Sequence, residues 1–394
     1  MNLELDAAHR AFEAEVRGFL DRHRDVWPRP GASRAELLRW QRLLIDHGYA
    51  ARTIPRAYGG FGAEPDILNS RIISEAFTKA GAPGPLAGQG ISMLVPTLLE
   101  LGTEAQKQQW IAPTLAGEIV WCQGYSEPGA GSDLANLRTA AVEDGDDFII
   151  NGQKIWTSTA AQADMIFALI RTEPEAPKHA GISYLIFSMK TPGIEVRPLV
   201  TMTGQAEFNE VFFTDVRVPK SQIVGRRGEG WLVANATLKH ERGMLGDPNA
   251  AEQRLAAIID LMREETIDGE RLIDNPLFLD RLMRLQGEVL AMKFNGLRLL
   301  TAALNGESPG LAGLIVKLRG CELNHQLAAL AIDALGELGV LYDGSPHLRA
   351  HGVWQHRYMF DLGLIIGGGT AQIQKNIIAE RGLGLPREPK LASA

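Results

Sequence analysis

Residues 165–189 read MIFALIRTEPEAPKHAGISYLIFSM. The two apolar runs, Met165–Arg171 and Ile182–Met189, are rich in β-branched and aromatic residues, and Pro174, Pro177 and Gly181 punctuate the stretch between them. That texture predicts two strands. It extends outward to Asp147–Asn151, Ile194–Val200 and Glu210–Val218, at spacings typical of a small all-β unit, so residues 121–230 are expected to form a central β domain. Strand–helix alternation is missing here, which argues against a doubly wound parallel sheet.

The flanks have a helical period. Phe12, Val16, Phe19 and Leu20 recur on one stripe, as do Leu37, Trp40 and Leu44, with turn-rich connectors at Trp27–Gly31, Ala57–Gly60 and Gly81–Pro85. Residues 1–120 therefore read as an N-terminal helical domain. After Gly230 the helical period returns, and Leu311–Leu338 carries apolar residues at 311, 314, 318, 327, 330, 334 and 338, a long helix of the kind that builds bundles. Residues 231–394 are expected to form a C-terminal helical bundle ending in a frayed tail over 387–394. The fold class is α+β, mostly helical.

Composition removes several function classes. The chain has 394 residues and a formal charge of −7, enough for two or three domains and without a basic footprint for nucleic acid or anionic lipid. Cys122 and Cys321 are the two cysteines, too few for a disulfide framework or a cysteine-based metal cluster, which fits a reducing compartment. Neither a membrane-spanning apolar run nor a signal pattern is found, so the expected location is the cytoplasm.

Four stretches carry candidate chemistry. Tyr125–Asp133 (YSEPGAGSD) spaces Gly129 and Gly131 before Ser132 and Asp133, so that backbone N–H groups can approach an anion or a polar ring; a Gly-rich turn with an Asx cap is the alternative. Asn151–Thr159 (NGQKIWTST) opens on an Asn-Gly pair, read as a hairpin-type turn before a strand, and flanks Trp156 with hydroxyls. Such an indole suits a planar heteroaromatic ligand, although taken alone it reads first as a buried structural tryptophan. Ile365–Gln374 (IIGGGTAQIQ) runs three glycines into an N-cap Thr370, a helix start whose free N–H groups can bind an anion or a polarised carbonyl, or a plain cap. On a helical wheel begun at Trp231, Glu241 falls on the apolar stripe with Ala234, Leu238 and Leu245, and Arg242 lies at its margin. Desolvation there raises a carboxyl pKa toward the range of a general base, with a buried structural ion pair as the alternative. His347 and His351 fit one helix face, with His356 further on, but no nearby Glu completes a zinc-hydrolase motif, and no metal is expected.

Taken together, WCQGYSEPGAGSDL (121–134), NGQKIWTSTAAQAD (151–164), EVFFTDVRVPKSQIVG (210–225) with GEGW (228–231), HERG (240–243) and GGGTAQIQKNIIAERGLGLPR (367–387) have the order and spacing of the acyl-CoA dehydrogenase family. The resemblance covers essentially the whole chain. It implies an N-terminal helical domain, a central β-barrel-like domain and a C-terminal four-helix bundle. It also implies FAD, an acyl-CoA thioester substrate, α,β-desaturation and electron transfer to an electron-transferring flavoprotein. By position, Tyr125, Ser126, Gly131, Ser132, Trp156, Thr157, Ser158, Thr370 and Gln372 match cofactor-binding residues: Ser126 faces the flavin pyrimidine, Ser132 the diphosphate, Trp156 packs on the flavin and Ser158 faces N5. Ser132, Arg242 and Gly367 fall beside the substrate.

The same resemblance fixes the expected base. Medium- and short-chain relatives carry a catalytic Glu where this chain has Gly368, whereas isovaleryl- and long-chain-type members carry it in a Glu-Arg pair that Glu241-Arg242 matches. The implied mechanism has the Gly368 N–H and a flavin ribityl hydroxyl holding the thioester carbonyl, Glu241 removing the α-proton, and hydride passing to flavin N5. Two family strings, Arg-x-x-Phe-Gly and Gln-x-x-Gly-Gly, are missing from the bundle, the nearest match to the second being Asp333–Glu337. The adenine end of FAD must then be held differently. Relatives acting on steroid side chains or dicarboxylyl-CoA form complexes of two unlike subunits, so the expected assembly is such a heterotetramer, or else a homodimer or homotetramer. Gly367 and Gly368 imply a roomier pocket suited to branched, ring-bearing or polycyclic acyl groups. A flavin oxidase or monooxygenase on the same fold, and a non-catalytic partner subunit, are the competing readings.

Overall fold

The computed structural model describes residues 5–242, 246, 248–307 and 312–387, without the side chains of Glu241 and Arg242. The chain divides into two compact units, residues 1–201 with 206–240, and residues 202–205 with 241–394.

The first unit opens with helices α1 (Ala7–Arg22), α2 (Arg34–Asp46), α3 (Ile67–Ala80), α4 (Val95–Leu101) and α5 (Glu104–Leu115). Their starts are written in the sequence. Asp6 caps α1 through His9 N–H, Ser33 and Glu36 form a capping box on α2, Asp66 caps α3, and Thr103 and Gln106 box α5. The expected stripe Val16, Phe19 and Leu20 is buried with Trp40, Leu44 and Phe77, whereas Leu37 lies at the surface.

Eight strands follow: β1 (Trp121–Gly124), β2 (Ala140–Asp144), β3 (Asp147–Lys154), β4 (Met165–Arg171), β5 (Ile182–Ser188), β6 (Ile194–Leu199), β7 (Phe208–Pro219) and β8 (Ile223–Val224). Their order is β6-β7-β3-β2-β4-β5-β8, with β1 added parallel to β4. The path ends at β6 and β8, so among the described residues the domain expected to be barrel-like is an open sheet and not a closed barrel. β4 and β5 are buried along all but their last residue because both faces are covered. Met165, Phe167 and Leu169 join a core that includes residues of α4 and α5, while Ile166, Ala168 and Ile170 face Phe148, Val211 and Val216 in a second core.

The expected hairpin at Asn151-Gly152 is not a turn. Both residues lie inside β3, and the β2–β3 hairpin closes at Gly145 (φ +60). Asn151 instead spans to β7, its Nδ2 donating to Asp215 Oδ1 (3.0 Å) and its Oδ1 accepting from Asp215 N–H (2.9 Å). The register between Ile150 and Gly152 slips there by one residue, accommodated in β7, where Asp215 has φ +51.

Helix α6 (Gly230–Arg242) leaves the sheet at a tight point. Gly228 N–H donates to Ser183 Oγ (2.9 Å), and a Cβ at Gly230 would lie 2.4 Å from the Ser183 carbonyl carbon. Only glycine starts the helix this close to β5.

The second unit is built on α7 (Pro248–Glu264), α8 (Pro276–Leu304), α9 (Ala312–Leu335) and α10 (Val353–Ile366), followed by the short α11 (Ala371–Ile377). α9 packs against α7, α8 and α10. Its residues Leu323, Leu327, Leu330 and Ala331 meet Leu255, Ile258, Leu282, Val289 and Trp354 in one core. The long helix expected over 311–338 ends at Leu335 and continues as a 3-10 turn; Leu311 and the tail from 388 lie outside the described residues. The helix face expected from His347 to His351 does not form, since Ala350 and His351 have φ +45 and +53. Among the described residues, no helix is long and apolar enough to cross a membrane.

Candidate active site

Two of the candidate strings meet through a buried ion pair. Lys154 ends β3 and points inward; its Nζ donates to Glu127 Oε1 (2.8 Å) and to the Tyr125 carbonyl (3.2 Å). Glu127 also accepts from the N–H groups of Arg138 (2.6 Å) and Thr139 (2.9 Å), and Ile155 N–H donates to the Ser126 carbonyl (2.9 Å). The loop 125–133 and the segment 154–158 are thereby locked edge to edge. Burial is the largest influence on both charges. For Lys154 it outweighs the pull of Glu127 and draws the pKa down to about 8, which leaves the ammonium charged at neutral pH. For Glu127 burial pushes upward, but the Lys154 charge and the hydrogen bonds from Lys154, Thr139 and Arg138 together win and hold the carboxyl below its ordinary value.

Sequence reading quoted both residues without giving them a role. A signal was available: strand alternation puts Lys154 on the same face of β3 as the buried Phe148 and Ile150. The charge masks it.

Around this lock the expected cofactor residues divide. The Tyr125 ring is buried, edge-on to Phe167 and Tyr184, and only its backbone reaches the lock. Ser126 is half-buried, and Gly131 and Ser132 are exposed. A Cβ on Gly129 or Gly131 would meet no atom within 4 Å, so open space borders the loop. The Asx cap considered for this loop does not form; Asp133 pairs with Lys178 (2.6 Å). Trp156 is not a buried structural indole. It is 54% exposed, in a left-handed backbone conformation (φ +59) with its ring edge-on to Phe208. Thr157 turns inward, its N–H donating to the Asn209 carbonyl (3.0 Å) and its carbonyl accepting from Asn209 N–H (3.1 Å). Its buried Oγ1 has no partner among the described residues. Ser158 is half-buried.

The glycine string lies in the second unit. Gly367 N–H closes α10 on the Gly363 carbonyl (2.8 Å), Gly368 and Gly369 have φ +64 and +95, and Thr370 caps α11 by accepting from Ile373 N–H (3.2 Å). Gln374 Nε2 donates to the Gly368 carbonyl (3.3 Å), and the buried Lys317 of α9 donates to the carbonyls of Ile365 (3.0 Å) and Gly369 (2.7 Å). Gln372 and Gly367 are exposed, and Gly368 is half-buried. Lys317, too, has no role in the sequence reading.

Glu241 and Arg242 close α6, but their side chains lie outside the described residues. Of the stripe that led to Glu241, Ala234 is buried, Leu238 is half-buried and Leu245 lies outside the described residues; the buried face also holds Val233 and Thr237, and Thr237 hydrogen-bonds Thr97 (2.9 Å) one turn before Glu241.

Family models for the acyl-CoA dehydrogenase N-terminal, middle and C-terminal domains match residues 6–118, 122–216 and 228–383. The chain belongs to the acyl-CoA dehydrogenase family. Among similar proteins are acyl-CoA dehydrogenase IpdE1 of Mycobacterium tuberculosis, 39% identical over 357 residues (89% of this chain, 88% of the relative), and acyl-CoA dehydrogenase FadE26 of the same organism, 36% identical over 355 residues (86% of each). The solved ChsE4-ChsE5 complex from M. tuberculosis is similar at TM-score 0.81 and 32% identity, covering 98% of this chain and all of that one. The structure described as the Tcur3481-Tcur3483 steroid ACAD is similar at TM-score 0.81 and 31% identity, over 98% of this chain and all of that one.

This acyl-CoA dehydrogenase is thus a flavin-dependent oxidoreductase. The family uses FAD, and the residues present fit such a group. An exposed indole offers a flat face beside a glycine loop bordered by open space, and the buried Thr157 hydroxyl, unpartnered among the described residues, faces no competing side-chain hydrogen bond. Among the described residues, no group of His, Cys, Asp and Glu gathers as a metal site.

Proposed function

We propose that this chain desaturates an acyl-CoA thioester between its α and β carbons, with Glu241 as the base. The observation that carries the reading is the Gly368 turn. Glycine at this position cannot take a proton, its carbonyl is engaged by Gln374, and among the described residues nothing accepts from its N–H. That N–H serves as donor to the thioester oxygen, on which charge develops as the α-proton leaves. Glu241 removes that proton, and Arg242 lies beside it on the last turn of α6. Ser126, Ser132, Trp156, Thr157 and Ser158 bind FAD around the Glu127–Lys154 pair, and Thr370 and Gln372 match further FAD-binding positions of the family. When bound, FAD supplies the acceptor for the β-hydride, and an electron-transferring flavoprotein takes the electrons onward.

The substrate class is a bulky, ring-bearing acyl group. Gly367 and Gly368 bring no side chains to the thioester, and one of the similar structures is described as a steroid ACAD. The partner is a second, unlike dehydrogenase subunit. The two missing strings support this, as does the pairing of differently named chains in the ChsE4-ChsE5 complex. Exposed apolar residues recur at helical spacing on α8 (Met283, Leu290, Phe294) and on α10 (Tyr358, Leu362, Ile366), the kind of face an oligomer covers.

Anaerobic mixing of FAD-loaded protein with short, long, branched, dicarboxylyl and steroid acyl-CoA thioesters tests the reading. Loss of flavin absorbance near 450 nm with the steroid thioester is expected, and Glu241→Gln should abolish it with FAD still bound. Rapid reoxidation by air would favour an oxidase. Bleaching undiminished in Glu241→Gln would remove Glu241 as base.

A further inference from the structure

We propose that Lys317 is a positioning residue: its buried ammonium fixes the Gly367–Gly369 turn so that the Gly368 N–H is held in place as the donor to the thioester carbonyl. The inference rests on the dehydrogenase reading above and deepens it.

The turn has two ties of its own, the Gly367 N–H on the Gly363 carbonyl (2.8 Å) and the long Gln374 amide bond to the Gly368 carbonyl (3.3 Å). Gly367, Gly368 and Gly369 have no side chains to lock against neighbours, and Gly368 and Gly369 adopt left-handed φ values that glycine enters and leaves at little cost. An external clamp is needed. Lys317, 1% exposed on α9, supplies it by donating to the Ile365 carbonyl in the last turn of α10 and to the Gly369 carbonyl just before the Thr370 cap. These two acceptors bracket Ile366, Gly367 and Gly368, so a single ammonium closes the loop that carries the proposed donor. The first acceptor is a helix-end carbonyl of the kind left without an intrahelical partner, where a cation is electrostatically favoured.

Burying a lysine charge is expensive, and a neutral residue of the same length would pack α9 at lower cost. What the ammonium does that an apolar side chain cannot is hold two carbonyls at once. A donor to a developing oxyanion contributes only if it is oriented beforehand, and a displacement of about 1 Å can cost roughly 100-fold in rate.

The test uses FAD-loaded wild type, Lys317→Met and Lys317→Arg. Hydrogen exchange is followed without substrate in peptides covering residues 363–375 and in α9, alongside steady-state kinetics with the thioester that bleaches the wild-type flavin. In Lys317→Met, exchange over 363–375 should accelerate about tenfold or more while α9 stays protected, and kcat should fall by about 30–100-fold with KM within a factor of about three. Lys317→Arg should recover part of both. Unchanged exchange and kcat in Lys317→Met overturn the proposal. So does a loss of kcat that merely follows loss of bound FAD or of folded protein and that arginine does not rescue. If no thioester bleaches the wild type, the dehydrogenase reading fails, and the exchange measurement alone decides whether Lys317 clamps the turn.

Discussion

The Lys154 ammonium lies 2.8 Å from the Glu127 carboxylate, with the lysine side chain fully enclosed and the glutamate 8% exposed. Each residue belongs to a different string, one in the loop that carries Ser126 and Ser132, the other leading into Trp156 and Ser158. Their pairing makes two segments, distant in sequence, behave as one surface. Since Ile155 N–H also binds the Ser126 carbonyl, the backbones on either side of the pair are fixed directly.

Removing one partner should be worse than removing both. Glu127→Gln leaves the enclosed ammonium without its counter-charge and should cost about 3–5 kcal/mol of stability, whereas Glu127→Gln with Lys154→Met removes the stranded charge, keeps an amide oxygen for the Arg138 and Thr139 N–H groups and should cost less. Flavin retention should fall in both, because the strings then keep only the backbone tie from Ile155 N–H to the Ser126 carbonyl. Urea denaturation and the flavin-to-protein absorbance ratio read the two effects separately. A double variant with full FAD content would show that the pair is not needed to shape the cofactor surface.

The same pair sets an acid dependence. Glu127 is held below its ordinary pKa in the folded chain, so in acid the unfolded chain binds the extra proton more readily than the folded one. The contribution is complete above the ordinary carboxylate value of 4.5 and is lost as pH falls through the lower folded value. The stability gap between wild type and Glu127→Gln should therefore narrow as pH drops below about 4.5. A gap that stays constant from neutral pH to pH 3.5 would contradict the assignment.

Much of the fold was legible because its elements carry their own periods and caps. The runs at 165 and 182 became β4 and β5 with limits shifted by a residue at most, and Thr370 caps its helix as read. Residue–residue pairing across long separations was not legible. Asn151-Gly152 has the local chemistry of a turn, yet bonding of the Asn side chain to Asp215 on β7 keeps it in a strand. Trp156 reads as core from its hydrophobicity, and the positive φ that turns it outward has no local sequence signal. Lys154 and Lys317 carry no signal of burial in their residue type, because lysine is usually a surface residue. Their acceptors, 27 and 48 or more positions away, exist only once the chain has folded.

Exposure makes Trp156 a clean probe. With 54% of its surface open, Trp156→Ala should leave the stability of the FAD-free protein within about 0.5 kcal/mol. Loss of an aromatic contact of about 1.4 kcal/mol should speed FAD release about tenfold. Differential scanning of the FAD-free protein and the recovery of flavin fluorescence on dilution report each quantity. A large drop in FAD-free stability with unchanged release would return Trp156 to a structural role.

The Arg254–Asp361 pair separates bundle stability from turn geometry. Asp361 is 1% exposed and meets both terminal nitrogens of Arg254, at 2.5 and 3.4 Å, which ties α7 to α10. Asp361→Asn strands the half-enclosed guanidinium and should destabilise by about 3–5 kcal/mol, while Arg254→Met with Asp361→Leu should recover most of that. The glycine turn is held by Lys317 and Gln374 and not by Asp361, so kcat per folded, FAD-loaded molecule should stay within about twofold of wild type in Asp361→Asn. Denaturation curves together with kcat normalised to bound flavin check both statements. A 30-fold or greater fall in normalised kcat would mean that the charge pair, and not the lysine clamp alone, controls the turn.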